Sequence, residues 1–486
     1  MKKLRQLLDA TTMYRVVLYA LAYLVTLALI LRALDIVTYS SLGTMTTTLA
    51  VLLATCGTAN VILAKVFKVA ANHESSLITA LILFFVLGAP TNSAEWIGIA
   101  FAALAAIASK YIITWRSAHI FNPAALGVTV VSLMGIGNGA WWIADRSLFI
   151  PMLIVGFVVL MKLRHFQLFF SFLIPALAII VLKTIEGSTL TSTLVTALTL
   201  YPLLFLGAIM LTEPSTMPVT KYKRVVFGLI VGVVFAINAD FGFIATSPHL
   251  ALIVGNVFAL LVTVRASTHL KLVEKLQLTP TTYKYSFKPF RPMSYIAGQY
   301  MEFTVANVNF DSRGNRRTFT IASPPHDGLI SIGVKFYDKG SQFKNKLSSL
   351  RVGDLIIGNH VAGDFTLPKD TTTPVVFIAG GIGITPFISM IEDVINKKST
   401  QAIDLYYFVA DKNEIAFKKT LKSAKDKGIN IHLRVGSGER LTEADIKDHK
   451  SSIFYISGPP GLVGAYKTLL QKSKITKIRT DLFTGY

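Results

Sequence analysis

Arg317-Thr318-Phe319-Thr320, followed by Gly380-Gly381-Ile382-Gly383-Ile384-Thr385-Pro386-Phe387 and then by Ser457-Gly458-Pro459-Pro460, is the series that decides how the C-terminal half of the chain folds. The first tetrapeptide lies where Val, Ile, Tyr and Phe alternate with polar side chains, the period of strands. Strands are predicted across Lys284 to Val308, interrupted at Ala297-Gly298-Gln299-Tyr300, and across Arg317 to Ala322 and Leu329 to Tyr337. This is the pattern of a small antiparallel β-barrel. From Pro374 the order becomes strand, glycine turn, helix, strand, which belongs to a parallel sheet. Glycines directly after the first such strand let the backbone approach a bound group closely. The expected division is a β-barrel domain over 272–370 and an α/β domain over 371–486.

Upstream the composition changes abruptly. Of 486 residues 52% are hydrophobic and only 15% charged, beyond the range of a soluble globular chain. Residues 1–264 carry most of that excess and read as an all-α polytopic membrane bundle, with 265–271 as linker. The net charge of +21 is spread through short loops and the C-terminal half. That distribution fits contact with anionic lipid and argues against nucleic acid. The single cysteine, Cys56, sits in an apolar run, which excludes a disulfide framework and a cysteine-ligated iron–sulfur cluster. Met13 to Leu31 is long for a signal-peptide core and reads as a retained first span.

Further apolar runs recur near Leu42 to Leu63, Leu77 to Leu87, Trp96 to Ile113, Pro123 to Ile136, Leu148 to Met161, Phe166 to Leu182, Leu194 to Met210, Val225 to Ala239 and Leu250 to Val264. The expectation is about ten spans. Lys65 and Lys68, Lys110 and Arg116, Lys162 and Arg164, then Lys221, Lys223 and Arg224 fall in every second loop. The positive-inside rule then puts both termini and the C-terminal half in the cytoplasm of a multi-pass cell-membrane protein.

Several runs are shorter than the roughly 20 residues a straight span needs. Two abut proline-containing polar segments, His119-Ile120-Phe121-Asn122-Pro123 and Leu211-Thr212-Glu213-Pro214. Irregular backbone at membrane depth survives only where protein or a cavity satisfies it, so His119, Asn122, Pro123, Thr212 and Glu213 are candidates for a membrane flavin or ion site. Ordinary cytoplasmic turns are the alternative, with Glu213 paired to Lys221 or Lys223.

The region from about Thr279 to Tyr486 resembles the ferredoxin–NADP⁺ reductase family, flavohemoglobin members included, because four motifs fall in order. The resemblance implies FAD in the barrel and NADH or NADPH as substrate of the α/β domain. It implies Arg317 for the flavin phosphate, Phe319 against the isoalloxazine, Thr320 near its N5, and Gly340 and Ser341 at the pyrophosphate. It also implies Gly380, Gly381, Gly383, Thr385 and Pro386 at the dinucleotide, and Ser457, Gly458 and Pro459 at the nicotinamide. Serine stands at 457 where relatives carry cysteine, and Phe319 where they carry tyrosine. A terminal aromatic, Tyr486 or Phe483, covers the flavin in this reading. Residues near Phe408 to Asp411 face the adenine ribose, with Lys412 and Arg440 the nearby cations, which favours NADH.

From about Thr48 to Val264 the segments Phe-Asn-Pro-Ala-Ala-Leu-Gly and Met-Leu-Thr-Glu-Pro resemble signatures of two respiratory membrane flavin subunits, the B subunit of the sodium-translocating NADH:quinone reductase and the D subunit of the Rnf complex. The resemblance implies electron passage through a helical bundle, in some cases with Na⁺ or H⁺ movement. The external loop Asp-Gly-x-x-Gly-Ala-Thr that esterifies FMN in those subunits is missing between Gly135 and Leu148, and Glu186-Gly187-Ser188-Thr189-Leu190 is a poor echo. The expected second flavin is thus a noncovalent FMN or riboflavin. His73, His119, His165 and His249 fall at loop edges without the spacing of axial ligands, so no heme is expected. Together these readings describe an oxidoreductase delivering electrons to a quinone or an extracytoplasmic acceptor. A permease with a fused reductase, or a membrane-anchored reductase for a soluble partner, are the competing classes.

Overall fold

The computed structural model describes residues 11, 13–67, 69, 71–115, 118–184, 189–237, 246–263, 267–305, 316–337, 340–368, 370–436 and 438–483. It divides into two compact units, Met1–Val264 and Arg265–Tyr486.

Among its described residues the first unit is helical apart from one antiparallel pair of two-residue strands and an isolated bridge. Its helices are α1 (Met13–Ala33), α2 (Leu42–Val66), α3 (His73–Val86), α4 (Ser93–Ile112), α5 (Pro123–Leu133), α6 (Phe149–Leu163), α7 (Phe166–Thr184), α8 (Leu190–Leu200), α9 (Lys221–Ile237) and α10 (Pro248–Val262). Only five described helical segments are long and apolar enough to cross a bilayer, or six if α8 and Leu203–Met210, bent by 58° at Tyr201–Pro202, make one broken span. The expected count of about ten is therefore corrected. Helices α3, α5 and α10 have 14, 11 and 15 residues. At 1.5 Å per residue they reach about 17–23 Å, against a hydrocarbon core of about 30 Å. Proline opens α5 and α10, and an Asn122 or Ser247 cap fixes where each begins.

The elements repeat in order. Two helices, a shorter or broken one, another helix and one opened by proline occur as α1–α5 and again as α6–α10. Packing follows the same order, α2 on α4 as α7 on α9, and α4 on α5 as α9 on α10. Small residues set the closest of these contacts: a Cβ on Gly228 or Gly232 would stand 2.0 Å from Ser171 Oγ or 2.4 Å from Phe172 O.

The second unit starts at β1 (Ser267–Thr279), so the segment expected as a linker is strand from Ser267 onward. Thr268, Leu270 and Leu272 point inward in alternation, and that burial recruits it. With β2 (Thr282–Pro289), β3 (Tyr300–Thr304), β4 (Arg316–Thr320), β5 (Ile330–Lys335) and β6 (Leu355–Ala362) it forms an antiparallel sheet in the order β4-β3-β6-β1-β2-β5. No ladder joins the edge strands β4 and β5 among the described residues, so the closed barrel expected from the sequence is not established. A bond from Ala322 N to Ser331 O, 2.7 Å, ties the two edges just past β4.

The remaining strands, β7 (Val375–Gly380), β8 (Ile403–Val409), β9 (Asn430–Val435), β10 (Ile453–Gly458) and β11 (Ile478–Leu482), form a parallel sheet in the order β9-β8-β7-β10-β11. The chain runs outward from β7 to β9, then crosses back to β10. Ligands in such sheets bind at the carboxyl ends of the strands where that reversal occurs, here between β7 and β10. Specific contacts stitch the two sheets together: Lys335 Nζ and Thr281 Oγ1 meet the Glu414 carboxylate at 2.7 and 3.0 Å, and Ser389 Oγ donates to Ser323 O at 2.6 Å.

Candidate functional site

At the reversal point the two glycine turns pack directly on each other. Ser457 pairs with Ala379, so Gly458 follows beside Gly380. A Cβ on Gly383 would lie 2.5 Å from Ser457 O and 2.6 Å from Gly458 Cα, which forbids any side chain there. Gly381 is different. Its φ of +54° is left-handed, and nothing lies within 4 Å of where its Cβ would be, leaving an open backbone cradle. Thr385, buried, and Pro386 open helix α12 (Thr385–Asn396), and the Thr385 methyl sits against Gly333 of β5. Beside the cradle Ser457 is fully buried, and its Oγ has no hydrogen-bond partner among the described residues. An orphaned buried hydroxyl next to a left-handed glycine turn fits a polar ligand such as a nicotinamide carboxamide.

Sequence reasoning missed Asp481. It stands opposite Ser457 on β11, and burial, with the nearby Asp364 carboxylate adding, pushes its pKa up to about 6. Its signal was an acid standing just before the terminal aromatics Phe483 and Tyr486. Phe483 N donates to Gly458 O at 3.0 Å, so the chain end returns to this point. Tyr486 lies outside the described residues.

On the side of the antiparallel sheet α11 (Gln342–Ser349) begins at Ser341, whose hydroxyl accepts from Lys344 N, with Gly340 just before. Phe343 of α11 packs 5.9 Å from Phe319, and the Arg317 guanidinium lies 5.6 Å from the Phe343 ring. Arg317, Phe319 and a helix N-terminus therefore converge, a donor set suited to a pyrophosphate beside an aromatic ring. Thr320 departs from the sequence reading. Alternation puts Arg317 and Phe319 on one face, opposite Phe303 and Met301, while Thr320, buried and opposite Tyr300, faces the other way.

Residues 372–455 match the family model described as the Ferric reductase NAD binding domain. The chain is 30% identical over 139 residues to a flavohemoprotein of Bacillus cereus, covering 27% of this chain and 34% of that protein. It is 26% identical over 242 residues to the human oxidoreductase NAD-binding domain-containing protein 1, covering 42% of this chain and 72% of the relative. The C-terminal region is similar to flavohemoproteins and to another oxidoreductase with an NAD-binding domain. The chain spans about a third of the length of the flavohemoproteins it matches. Among solved structures, the ferredoxin–NADP⁺ reductase of Plasmodium falciparum is similar at TM-score 0.38 and 21% identity, covering 45% of this chain and 96% of that one. The flavohem-like FAD/NAD binding domain of the Vibrio cholerae nitric oxide dioxygenase gives TM-score 0.39 and 19% identity, covering 44% and 98%.

In the helical unit the two proline breaks meet. Glu213 takes His119 Nε2 at 2.9 Å on one oxygen and Asn122 Nδ2 at 2.9 Å on the other, across 91 residues of chain. Thr216 Oγ1 donates to it as well at 3.3 Å, while Lys223 Nζ is bound to Val262 O. A π-helical turn, Leu206–Met210, ends just before Thr212, the kind of irregularity that re-aims side chains at sites. Asn256, fully buried on α10, accepts from Asn122 N at 2.8 Å and donates to Thr216 O at 3.2 Å, holding both breaks. A lone asparagine inside an apolar run was the overlooked signal. His249, expected at a loop edge, is buried against Trp141, with a 5° angle between the rings. Asn122, Pro123, Thr212 and Glu213 border a cavity of about 70 Å³ whose other walls are mostly apolar. Apolar walls with a few convergent polar groups are the lining that receives a ring system, and a ring larger than this volume needs the walls to open. The echo of an FMN-bearing loop at Glu186 falls on residues outside the described set.

Proposed function

We propose that this chain is a membrane-bound flavoprotein oxidoreductase that takes hydride from NADH in its C-terminal region and delivers electrons to an acceptor in its helical unit. The observation that carries the reading is the pair of interlocked glycine turns at the sheet reversal, with the orphaned Ser457 hydroxyl beside them and the Arg317–Phe319–α11 cluster on the neighbouring sheet.

FAD, when bound, supplies hydride acceptance and onward electron transfer. Arg317 and the α11 N-terminus would neutralise its phosphates, and Phe319 would lie along its ring. Gly381 admits the dinucleotide backbone, Ser457 fixes the carboxamide, and Asp481 holds or releases a proton beside it. Asp411, at the end of β8 and capping Asn413 N at 2.7 Å, puts a carboxylate where a ribose 2′-hydroxyl is favoured over a 2′-phosphate, which supports NADH.

In the helical unit the acceptor is a quinone or a noncovalent FMN or riboflavin in the cavity beside Glu213, as the resemblance to the respiratory membrane flavin subunits suggests. Coupling to Na⁺ or H⁺ belongs to the same reading. The test is to purify the full chain in detergent, precipitate it with acid, and quantify FAD, FMN and riboflavin in supernatant and pellet while following NADH-driven reduction of a short-chain quinone. FAD with quinone reduction supports the proposal. FAD without any electron transfer beyond it turns the reading to a permease with a fused reductase.

A further inference from the structure

Lys110 of α4 is the least explained charge in the helical unit. Its ammonium donates to Ser75 O at 2.9 Å, Ser75 Oγ at 2.8 Å and Thr79 Oγ1 at 2.7 Å. An ammonium has three hydrogens, so its donors are used and none reaches further. All three acceptors are neutral oxygens of α3; Lys110 makes no ion pair within 4.0 Å among the described residues, and the Glu213 carboxylate acts on it at longer range.

The acceptors are not inert. Ser75 and Thr79 both line the cavity that Asn122 and Glu213 border. The Thr79 hydroxyl spends its own hydrogen on Ser75 O at 3.0 Å. Ser75 Oγ accepts from Lys110, and its hydrogen has no acceptor among the described residues. A hydroxyl that accepts from a cation becomes a stronger donor, and here the spare hydrogen belongs to a cavity wall.

We propose that Ser75, polarised by Lys110, donates a hydrogen bond to a carbonyl oxygen of the cavity's occupant, a conjugated ring that gains electrons. The inference rests on the oxidoreductase reading given above and adds the group that recognises the acceptor. For a quinone, two electrons that began on NADH and two protons give the quinol. Negative charge collects on the carbonyl oxygens as electrons arrive, so a cation-backed donor binds the reduced ring more strongly than the oxidised one. Lys110 acts through Ser75 and is a positioning residue. An isoalloxazine ring carries the same carbonyl chemistry, and the test separates the two sources.

The experiment uses the full chain in detergent with Ser75→Ala, Lys110→Met, Lys110→Arg and the Ser75→Ala/Lys110→Met double variant. Calorimetric titration of the oxidised protein with a short-chain benzoquinone reads one source, and FMN plus riboflavin released per chain reads the other. Detergent-phase melting of the helical unit measures whether each variant is folded. With a quinone occupant, Ser75→Ala and Lys110→Met each weaken binding about tenfold. With a flavin occupant they lower the FMN or riboflavin content instead. The double variant is no worse than either single one, because the lysine works through the serine, and Lys110→Arg retains most of the parental affinity. Parental quinone affinity and flavin content in Ser75→Ala, or additive losses in the double variant, overturn the inference. A parental chain that binds neither quinone nor second flavin overturns it together with the acceptor reading beneath it.

Discussion

Gly383→Ala is the sharpest perturbation of the reductase-like region. The added Cβ would stand 2.5 Å from Ser457 O, 2.6 Å from Gly458 Cα and 2.7 Å from Gly458 N, where ordinary contact begins at 3.4 Å. All three are backbone atoms of β10 and its turn, so no side chain can swing aside. The turn after β10 must retreat by about 0.7–0.9 Å, the shortfall in those distances. Overpacking of this kind costs about 1–3 kcal/mol. For a unit of this size that lowers the melting temperature by about 2–12 °C. A displacement near 1 Å at a reacting pair costs about 10²-fold in rate. Stopped-flow flavin bleaching by NADH reads the rate, and differential scanning calorimetry reads the melting. Gly428→Ala, before β9 and away from the turns, is the control. It meets nothing within 4 Å, so its cost is the left-handed backbone alone, about 1–2 kcal/mol, without moving Ser457. Parental hydride-transfer rate and melting in Gly383→Ala, or an equal loss of rate in Gly428→Ala, would refute the account of interlocked turns.

Three further outcomes follow from particular contacts. Burial raises the Asp481 carboxyl from 3.8 to about 6, so the folded state holds the proton more tightly than the unfolded chain does. Ionising it therefore costs stability, up to about 3 kcal/mol above pH 6 and nothing below about pH 4. Asp481→Asn should raise the melting temperature of the reductase-like region at pH 8 and leave it unchanged near pH 4; a loss of stability at pH 8 contradicts the burial argument. Asn256→Ala leaves Asn122 N–H without its 2.8 Å acceptor in a buried site, which should cost about 1–3 kcal/mol and lower the detergent-phase melting of the helical unit. Glu414→Gln removes the charge that Lys335 meets at 2.7 Å across the two sheets. Hydrogen exchange should rise at Thr281 and Lys335 while the β7–β10 ladder stays protected.

Much of this protein was legible in its sequence because its signals are local. The composition break near Val264, the strand–glycine–helix order after Pro374 and the proline-containing break at Asn122-Pro123 each rest on a few adjacent residues, and pattern exposes them. Length was harder. Ten apolar runs read alike in sequence, yet Pro123, Pro202 and Pro248 cut several of them below the reach of a bilayer. Face was also hard: Arg317, Phe319 and Thr320 were read together, although a strand cannot turn neighbours to the same side.

What the sequence determined by itself is the series of turns and helix starts, because glycine, proline and capping side chains act on their own backbone. Only the tertiary structure decided which of these meet. It brought Gly383 against Gly458, Glu213 against His119 and Asn122, Asn256 between two breaks, and Lys110 onto Ser75 at a cavity wall. These pairs are far apart in the chain, and close packing of apolar surfaces sets their distances, a constraint no short window of residues contains.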